Sequence, residues 1–250
     1  MLKKIGIGIG VIILIAAGAF WYLFSNLDSL IKAGIEKYGS AATQASVTVS
    51  GVKLSLSSGE GSITGLNVGN PKGFTTPNAL ALGAITVQLD TGSITGNGPI
   101  VVKEIVISQP QVTYEVGGGG SNLQTIQKNT KDFAGAGGST SNSSGSTRKE
   151  IIENLYVRDG QIGVSASALG GKTITVPLPT IHLTNIGKGN GGATPAEIAD
   201  QVLGAISSEA AKVGANALAQ QVEGAVGGAL SGAAQGTQGV GGQLKGLFGQ

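Results

Sequence analysis

The side chains that most often perform chemistry are few and scattered in this sequence. The chain has one histidine, His182, and no cysteine, which excludes thiolate catalysis, disulfides and thiolate metal sites. His182 lies between Ile181 and Leu183 in an alternating stretch, a pattern that favours a surface position over a ligand position. General acid–base catalysis needs carboxylates brought together on one face. The carboxylates show no close pair of this kind: Asp28, Glu36, Glu60, Asp90, Glu104, Glu115, Asp159, Glu197 and Asp200. We therefore expect no enzyme, no cofactor and no metal ion.

Composition argues against two further classes of ligand. The glycines from Gly117 to Gly120 lack the Lys-Ser/Thr ending of a phosphate-binding loop and are better explained as a linker. The formal net charge is only +2, and no basic run is longer than Lys3-Lys4 or Arg148-Lys149. Nucleic-acid binding domains carry clustered basic residues. We therefore expect no nucleic-acid partner.

An uncharged apolar segment extends from Ile5 to Phe24. A helix of about twenty residues spans roughly 30 Å, the thickness of the bilayer hydrocarbon. Lys3 and Lys4 flank one end, and aromatic side chains mark the other, where headgroups lie. The segment predicts a transmembrane anchor, with these residues as its main contacts: Ile5, Ile12, Leu14, Phe20, Trp21, Tyr22 and Phe24.

Two alternatives to a permanent anchor remain open. Ala17-Gly18-Ala19 resembles a signal-peptidase site, although the apolar run continues beyond it, and a buried core helix is the other alternative. Basic residues do not decide the orientation, because Lys32 and Lys37 match Lys3 and Lys4 in number. The four-residue tail before the span favours a cytoplasmic N-terminus, with the rest exported.

The exported region reads mainly as strands. After an amphipathic helix that starts near Asn26 and stops at Gly39, apolar residues alternate with polar ones, as in a sheet with one apolar face. The alternation slips by one residue at Ser50-Gly51 and again across Gly65. A β-bulge in one bent strand explains each slip. Further strands are predicted around Ile85, Ile105 and Val112, and Pro177 with Pro179 places the last strand at a sheet edge.

An internal repeat occurs in this strand region. Residues from Val101 to Val112 match those from Ile151 to Ile162 position by position, with Pro110 corresponding to Gly160. Each unit reads as strand, tight turn, strand, unless the match is a chance alignment of short β patterns. Repeated units predict an elongated sheet rather than a compact Greek key.

Helical segments follow each copy of the repeat. Ser121 and Gln124 form a capping box for a short helix, and Thr194 with Glu197 forms another ahead of an Ala- and Gly-rich helix. We divide the chain into an anchor, 1–25, a β domain, 26–192, with a flexible loop at 135–147, and a C-terminal helix with a loose tail, 193–250. The predicted fold is mainly β with flanking helices (α+β): a transmembrane helix, then an elongated antiparallel, groove-like sheet covered by amphipathic helices.

The residues resemble the AsmA-like family of bacterial envelope proteins. The likeness covers about residues 1 to 130 and rests on the anchor, LIKAGIEKYGS, VTVSGVKLSLSSGEGSITGLNVGNPKGF and PIVVKEIVISQPQVTYEV followed by GGSNLQTIQKN. The resemblance implies an inner-membrane anchor and a periplasmic β domain related to groove-shaped bridges for phospholipid. It also implies a role in envelope and outer-membrane biogenesis. The sheet that this chain can form is too short to cross a periplasm. A complete conduit for phospholipid would therefore need other envelope proteins or self-association.

Two arrangements of the apolar sheet face remain open from sequence. Helices cover it in an ordinary closed core, or part stays open as a groove for acyl chains. The candidate groove residues are Val112, Tyr114, Val116, Ile162 and Val164. The leading function is phospholipid binding or transfer in that groove, and the alternative is a non-catalytic scaffold that binds another envelope protein by edge pairing.

Overall fold

The computed structural model describes residues 26–55, 57–117, 119–135, 148–166, 173–217 and 219–220. The helices are α1 (Leu27–Thr43), α2 (Thr91–Thr95), α3 (Asn122–Gly135) and α4, described over 195–217. A 3-10 turn covers Lys188–Asn190. The strands are β1 (Val47–Thr48), β2 (Gly51–Ser55), β3 (Glu60–Gly69), β4 (Asn78–Leu89), β5 (Ile100–Ser108), β6 (Gln111–Gly117), β7 (Gly120–Ser121), β8 (Glu150–Arg158), β9 (Gly160–Ala166), β10 (Thr173–Leu178) and β11 (Ile181–Ile186).

The described strands form one sheet, and most of them join end to end into longer bent strands. β4 pairs with both β5 and β6 in the same register on either side of Gly83, because Ala84 faces Ser108 and Leu80 faces Val112. The same holds for β1–β2 against β3 and for β8–β9 against β10–β11. Across the sheet the order is β1–β2, β3, β4, β5–β6, β8–β9, β10–β11, with the two-residue β7 beside β6. The described strands therefore run as a meander, with a crossover between β6 and β8.

A row of bends crosses the whole sheet, and we call it the bend row. Its members occupy facing positions in neighbouring strands: Ser50, Gly65, Gly83, Gln109, Asp159 and Pro179. Gly65, Gln109 and Asp159 have left-handed backbones, with φ of 60°, 52° and 57°. The buried side changes phase there, as in Leu82 to Ile85 and Val157 to Ile162. The phase slip thus keeps one face of each bent strand towards the core.

The predicted slips at Ser50-Gly51 and Gly65 are confirmed as bends, but they are not bulges. The register between β1–β2 and β3 is the same on both sides of Gly65, so neither strand carries an extra residue. True register shifts occur elsewhere, at Val68/Gly69 and Gln88/Leu89. The phase slips at facing positions in neighbouring strands, so no two-to-one mismatch is needed.

The predicted hairpin in each repeat is wrong. β5–β6 is one bent strand, β8–β9 is another, and they lie side by side in parallel. Ile100 faces Glu150 and Val112 faces Ile162, so equivalent repeat positions are direct neighbours. The predicted all-antiparallel sheet is therefore mixed. Pro110 and Gly160 mark the bend rather than a chain reversal, because an X-Pro or Gly site is compatible with either.

Helices α1, α3 and α4 lie over the apolar side of the sheet. Leu123 and Ile126 of α3 and Ile206 and Ala210 of α4 are almost fully buried and join one core with the strand residues. Ile35 of α1 packs against the same core. The prediction of a mainly β fold with flanking helices (α+β) is confirmed to this extent. α4, which we assigned to a separate C-terminal region, shares its core with the β domain.

The two predicted capping boxes are confirmed. Ser121 N donates to Gln124 Oε1 and Gln124 N to Ser121 Oγ, each at 3.2 Å. Thr194 N donates to Glu197 Oε2 at 2.7 Å, and Glu197 N donates to Thr194 Oγ1. The predicted stop of α1 at Gly39 is wrong, since the helix continues to Thr43. A Cβ on Gly39 would lie 3.1 Å from Val47, so this glycine allows helix and strand to approach closely.

Candidate functional site

The candidate groove residues lie mostly inside the closed core. Val112, Ile162 and Val164 are 1%, 0% and 0% exposed. Tyr114 is half-buried against the core, and Val116 is 36% exposed near the end of β6. Of the two arrangements left open by the sequence, the described residues adopt the covered one at Val112, Ile162 and Val164.

Gly214 of α4 packs directly against Tyr114 and Val164. A Cβ built on Gly214 would lie 3.3 Å from Tyr114 and 3.4 Å from Val164. α4 therefore sits close to the sheet here. Glycine weakens a helix by about 1 kcal/mol relative to alanine. Close contact and low intrinsic helix stability thus coincide at this end of α4.

The anchor residues, Ile5 to Phe24, lie outside the described residues, as do residues from 221 onwards. Of the flexible loop predicted at 135–147, Gly135 is instead the last residue of α3, and the rest lies outside the described residues. Among the helices that the structure describes, none combines the length and apolarity needed to cross a membrane. The described chain begins at Asn26, directly before α1.

The most strongly bound carboxylate is Glu115, which is 7% exposed on β6. Thr75 and Thr76, in the loop between β3 and β4, each donate a backbone N–H and a hydroxyl to it, at 2.5 to 2.9 Å. Burial alone would raise the pKa of Glu115, but these four hydrogen bonds outweigh it and lower the pKa to about 2. Glu115 therefore holds the loop as a charged structural group.

A fully buried asparagine extends this network to α3. Asn122 accepts from Glu115 N at 3.0 Å and donates to Thr113 O and Asn70 Oδ1, each at 2.8 Å. Every buried side-chain polar atom in the described part of the chain has a partner. The network is thus fully satisfied, which is what a structural polar cluster requires.

Two further carboxylates, Glu150 and Glu197, have shifted pKa values. Burial raises the pKa of Glu150, and hydrogen bonds from Thr194 lower the pKa of Glu197 at the start of α4. No cluster of three or more acidic or histidine side chains suited to a metal occurs within the described ranges. Glu197 lines a small concavity of about 240 Å³, together with Lys149, Gly187 and Gly192.

The polar face of the sheet carries a stack of rings near β11. His182 is exposed, as the alternation predicts, and its ring lies 4.1 Å from that of Tyr156, at 13°. The guanidinium of Arg158 lies 4.2 Å from the same Tyr156 ring centre. His182 Nε2 also lies 3.1 Å from Asn154 Oδ1. The histidine ring therefore turns towards β8 and away from the outer side of β11.

The two edges of the sheet differ. At the β1–β2 edge, α1 runs alongside and its side chains accept from the strand: Ser40 from Val47 N, Glu36 from Val49 N and Asp28 from Leu54 N, at 2.9 to 3.0 Å. Unpaired edge amides are templates for another strand. α1 therefore blocks this edge against strand addition.

The β10–β11 edge has outward-facing amides whose direction follows from two hydrogen bonds. Gln161 N donates to Pro110 O at 2.8 Å, so Gln161 faces β6 and turns away from Pro177, which lies opposite it. In an antiparallel ladder such a pair points its backbone groups to opposite sides. Pro177, and by alternation Thr175 and Thr173, therefore face outwards.

The second half of this edge follows the same logic. Gln109 N donates to Arg158 O at 2.9 Å, so Arg158 and Tyr156 face β5. His182 lies opposite Tyr156, and its backbone groups, with those of Thr184, therefore face outwards. Within the described part of the chain, no side chain or backbone group bonds to these outward amides. We call the β10–β11 strand, from Thr173 to Ile186, the open edge.

The open edge was only partly visible in the sequence. Its prolines correctly predicted an edge strand, since proline cannot donate to a central ladder. Its other signal is the absence of Asp, Glu, Lys and Arg from Thr173 to Ile186. Charged side chains commonly protect exposed edges, so an uncharged one stands out. Which amides face outwards depends on the bend row and could not be predicted from local sequence.

No protein-family model matches this chain, and no curated protein matches it. The described residues form an α+β domain with one sheet, helices over one face and an open edge on one side. The likeness to AsmA-like proteins remains a resemblance carried by the residues.

Proposed function

We propose that this chain is a non-catalytic, membrane-anchored envelope protein whose β domain binds another protein by strand addition at the open edge. The main observation in support is that the two edges of the sheet differ. Side chains of α1 accept hydrogen bonds from amides of the β1–β2 edge, whereas the open edge presents the outward-facing amides of Thr175, His182 and Thr184. Strand addition uses main-chain hydrogen bonds for affinity and alternating side chains for specificity.

The proposed location follows from the anchor. A span from Ile5 to Phe24 with a cytoplasmic N-terminus places Asn26 onwards in the periplasm of a bacterial inner membrane. The AsmA-like resemblance supports the same topology and a role in envelope and outer-membrane biogenesis. Because α1 begins at Leu27, the end of the sheet near Leu54 lies closest to the membrane in this arrangement.

Site-specific photo-cross-linking in native membranes tests the proposal. A photo-reactive amino acid at Thr184 of the full chain should form a protein adduct, and one at Thr86, exposed on the polar face, should not. Adding Thr175→Pro removes an outward N–H and should reduce the Thr184 adduct severalfold, whereas Thr175→Val keeps that N–H and should preserve it. Equal adducts at Thr184 and Thr86, or equal effects of proline and valine, would contradict edge binding.

Phospholipid binding is the second candidate function. The observation in its favour is that α4 packs closely over Tyr114 and Val164, and that this close contact depends on Gly214 having no side chain. Displacing this end of α4 would expose apolar strand residues suited to acyl chains. This function needs α4 to move, whereas strand addition uses amides that already face outwards.

Mass spectrometry of co-purified lipids tests this candidate. Protein purified in a non-lipid detergent should carry about one phospholipid per chain above a mock purification if α4 opens. Gly214→Leu places a bulky side chain against Tyr114 and Val164 and should force the helix away, increasing bound lipid. Lipid at mock level in both the wild type and the variant would remove phospholipid binding as a function.

A further inference from the structure

The open edge is complementary to itself. If two copies meet antiparallel about a twofold axis between Pro179 and Thr180, Thr175 of each faces Thr184 of the other, and Pro177 faces His182. All four positions have outward backbone groups, so outward residues meet outward residues. The outward-facing residues are odd-numbered before Pro179 and even-numbered after it. This change of phase at the bend row makes the pairing possible, because an odd-numbered residue of one copy then faces an even-numbered residue of the other.

The bend selects this alignment over shifted ones. An added strand must bend where β10–β11 bends if it is to pair along both arms. The twofold axis at Pro179 and Thr180 places the bend-row position of one copy beside that of the other, and the left-handed Asn185 (φ 55°) lies just beyond the paired stretch from Thr175 to Thr184. A shift by two residues keeps the outward amides opposed but moves the two bends apart. Isologous contacts of this kind are the commonest route to closed dimers.

The side chains are compatible on both faces of the edge. On the polar face, Thr175 meets Thr184, a cross-strand pair that stabilises sheets. On the apolar face, Val176 meets Leu183, and both are only partly buried in the single chain. The edge has no charged residue, so self-pairing brings no like charges together. The ring of His182 stacks on Tyr156 of β8, on the side away from the open edge.

The prolines limit the strength of this pairing without preventing it. Pro177 has no N–H, so the pair with His182 keeps only the bond from His182 N–H to Pro177 O. The Thr175 and Thr184 pairs keep both bonds. An edge contact of this length belongs with small, weak interfaces. Anchoring in a membrane raises the effective concentration and favours such contacts.

We propose that the partner at the open edge is a second copy of this chain, paired through Thr175 and Thr184 to continue the sheet across two protomers. This inference rests on the proposed strand-addition function and names its partner. The absence of native cysteine makes it directly testable by engineered disulfides.

The full chain in membrane vesicles, oxidised with copper phenanthroline, provides the test. Facing residues lie about 5.5 Å apart between Cα atoms, within the range that a disulfide bridges. In the proposed dimer, identical positions such as Thr175 of each copy lie about 30 Å apart along the strand. Thr175→Cys/Thr184→Cys should therefore give about tenfold more covalent dimer than either single variant. Producing the two single variants together in one membrane should also give the heterodimer.

A shifted pair is the matched control. Thr175→Cys/His182→Cys reports the alignment moved by two residues and should cross-link far less. Thr175, His182 and Thr184 are exposed, so these changes leave the core intact. Cross-linking no stronger in the Thr175/Thr184 variant than in the single or shifted variants would overturn the self-pairing. A Thr184 photo-adduct to a different protein would then leave strand addition standing, whereas no adduct at all would overturn both.

Discussion

Replacing Glu115 with glutamine should lower the free energy of unfolding by about 2 to 3 kcal/mol at pH 7. The carboxylate accepts four hydrogen bonds from Thr75 and Thr76 while almost fully buried. A side-chain amide turns its NH₂ group towards at least one of these donors, which leaves a buried N–H unpaired. Urea unfolding of the full chain in detergent, followed by circular dichroism, measures the loss. Glu104→Gln, at an exposed position of β5, should change stability by less than about 0.5 kcal/mol.

The same carboxylate makes stability depend on pH. The folded pKa of Glu115, about 2, is lower than its ordinary value of 4.5, so its contribution is complete above pH 4.5 and is lost as the pH falls towards 2. The difference between wild type and Glu115→Gln should therefore shrink by more than half between pH 7 and pH 3. Glu150, with its raised pKa, opposes this trend in both proteins and cancels in the comparison. A difference that stays constant down to pH 3 would contradict the charged clamp.

The strands could be predicted because their patterns are local. Alternation predicted strands around Ile85, Ile105 and Val112, and all of them are strands. The slip at Gly65 was visible because glycine commonly takes a left-handed backbone. Gln109 and Asp159 adopt the same left-handed conformation, but neither is a glycine, so their residue types did not indicate it. The bend row as a whole was therefore hidden, although two of its positions were not.

Pairing between distant strands could not be predicted in the same way. The repeat correctly marked β5–β6 and β8–β9 as equivalent, but Pro110 and Gly160 resembled turn residues and suggested hairpins. Parallel pairing depends on the crossover through α3, which brings Ile100 beside Glu150. Gly160 serves packing instead, since a Cβ there would lie 2.7 Å from Pro110 and 2.9 Å from Leu178.

The candidate site shows a similar division. Pro177 correctly indicated an edge, because its missing N–H has a local consequence. The covering of the other edge depends on Asp28, Glu36 and Ser40, whose helical spacing places them towards strand amides only after α1 packs. The groove residues met a comparable limit: an apolar strand face looks the same in sequence whether a helix covers it or a lipid does.

Val164→Asp separates a covered face from an open groove, and we expect it to unfold the domain. Val164 is fully buried against α4, and an unpaired buried carboxylate costs more than about 4 kcal/mol, a large part of the stability of a domain. Val116→Asp is the matched control, because Val116 is 36% exposed on the neighbouring strand and should tolerate the same change within about 0.5 kcal/mol.

Urea unfolding and limited proteolysis of both variants give the answer. Loss of the cooperative transition in Val164→Asp alone is the result of a closed core. If Val164→Asp instead unfolds at the wild-type urea concentration, its side chain reaches water without disrupting the packing, and the sheet face beneath α4 is open. Lipid loss in a folded Val164→Asp protein would then make phospholipid, rather than strand addition, the first function to pursue.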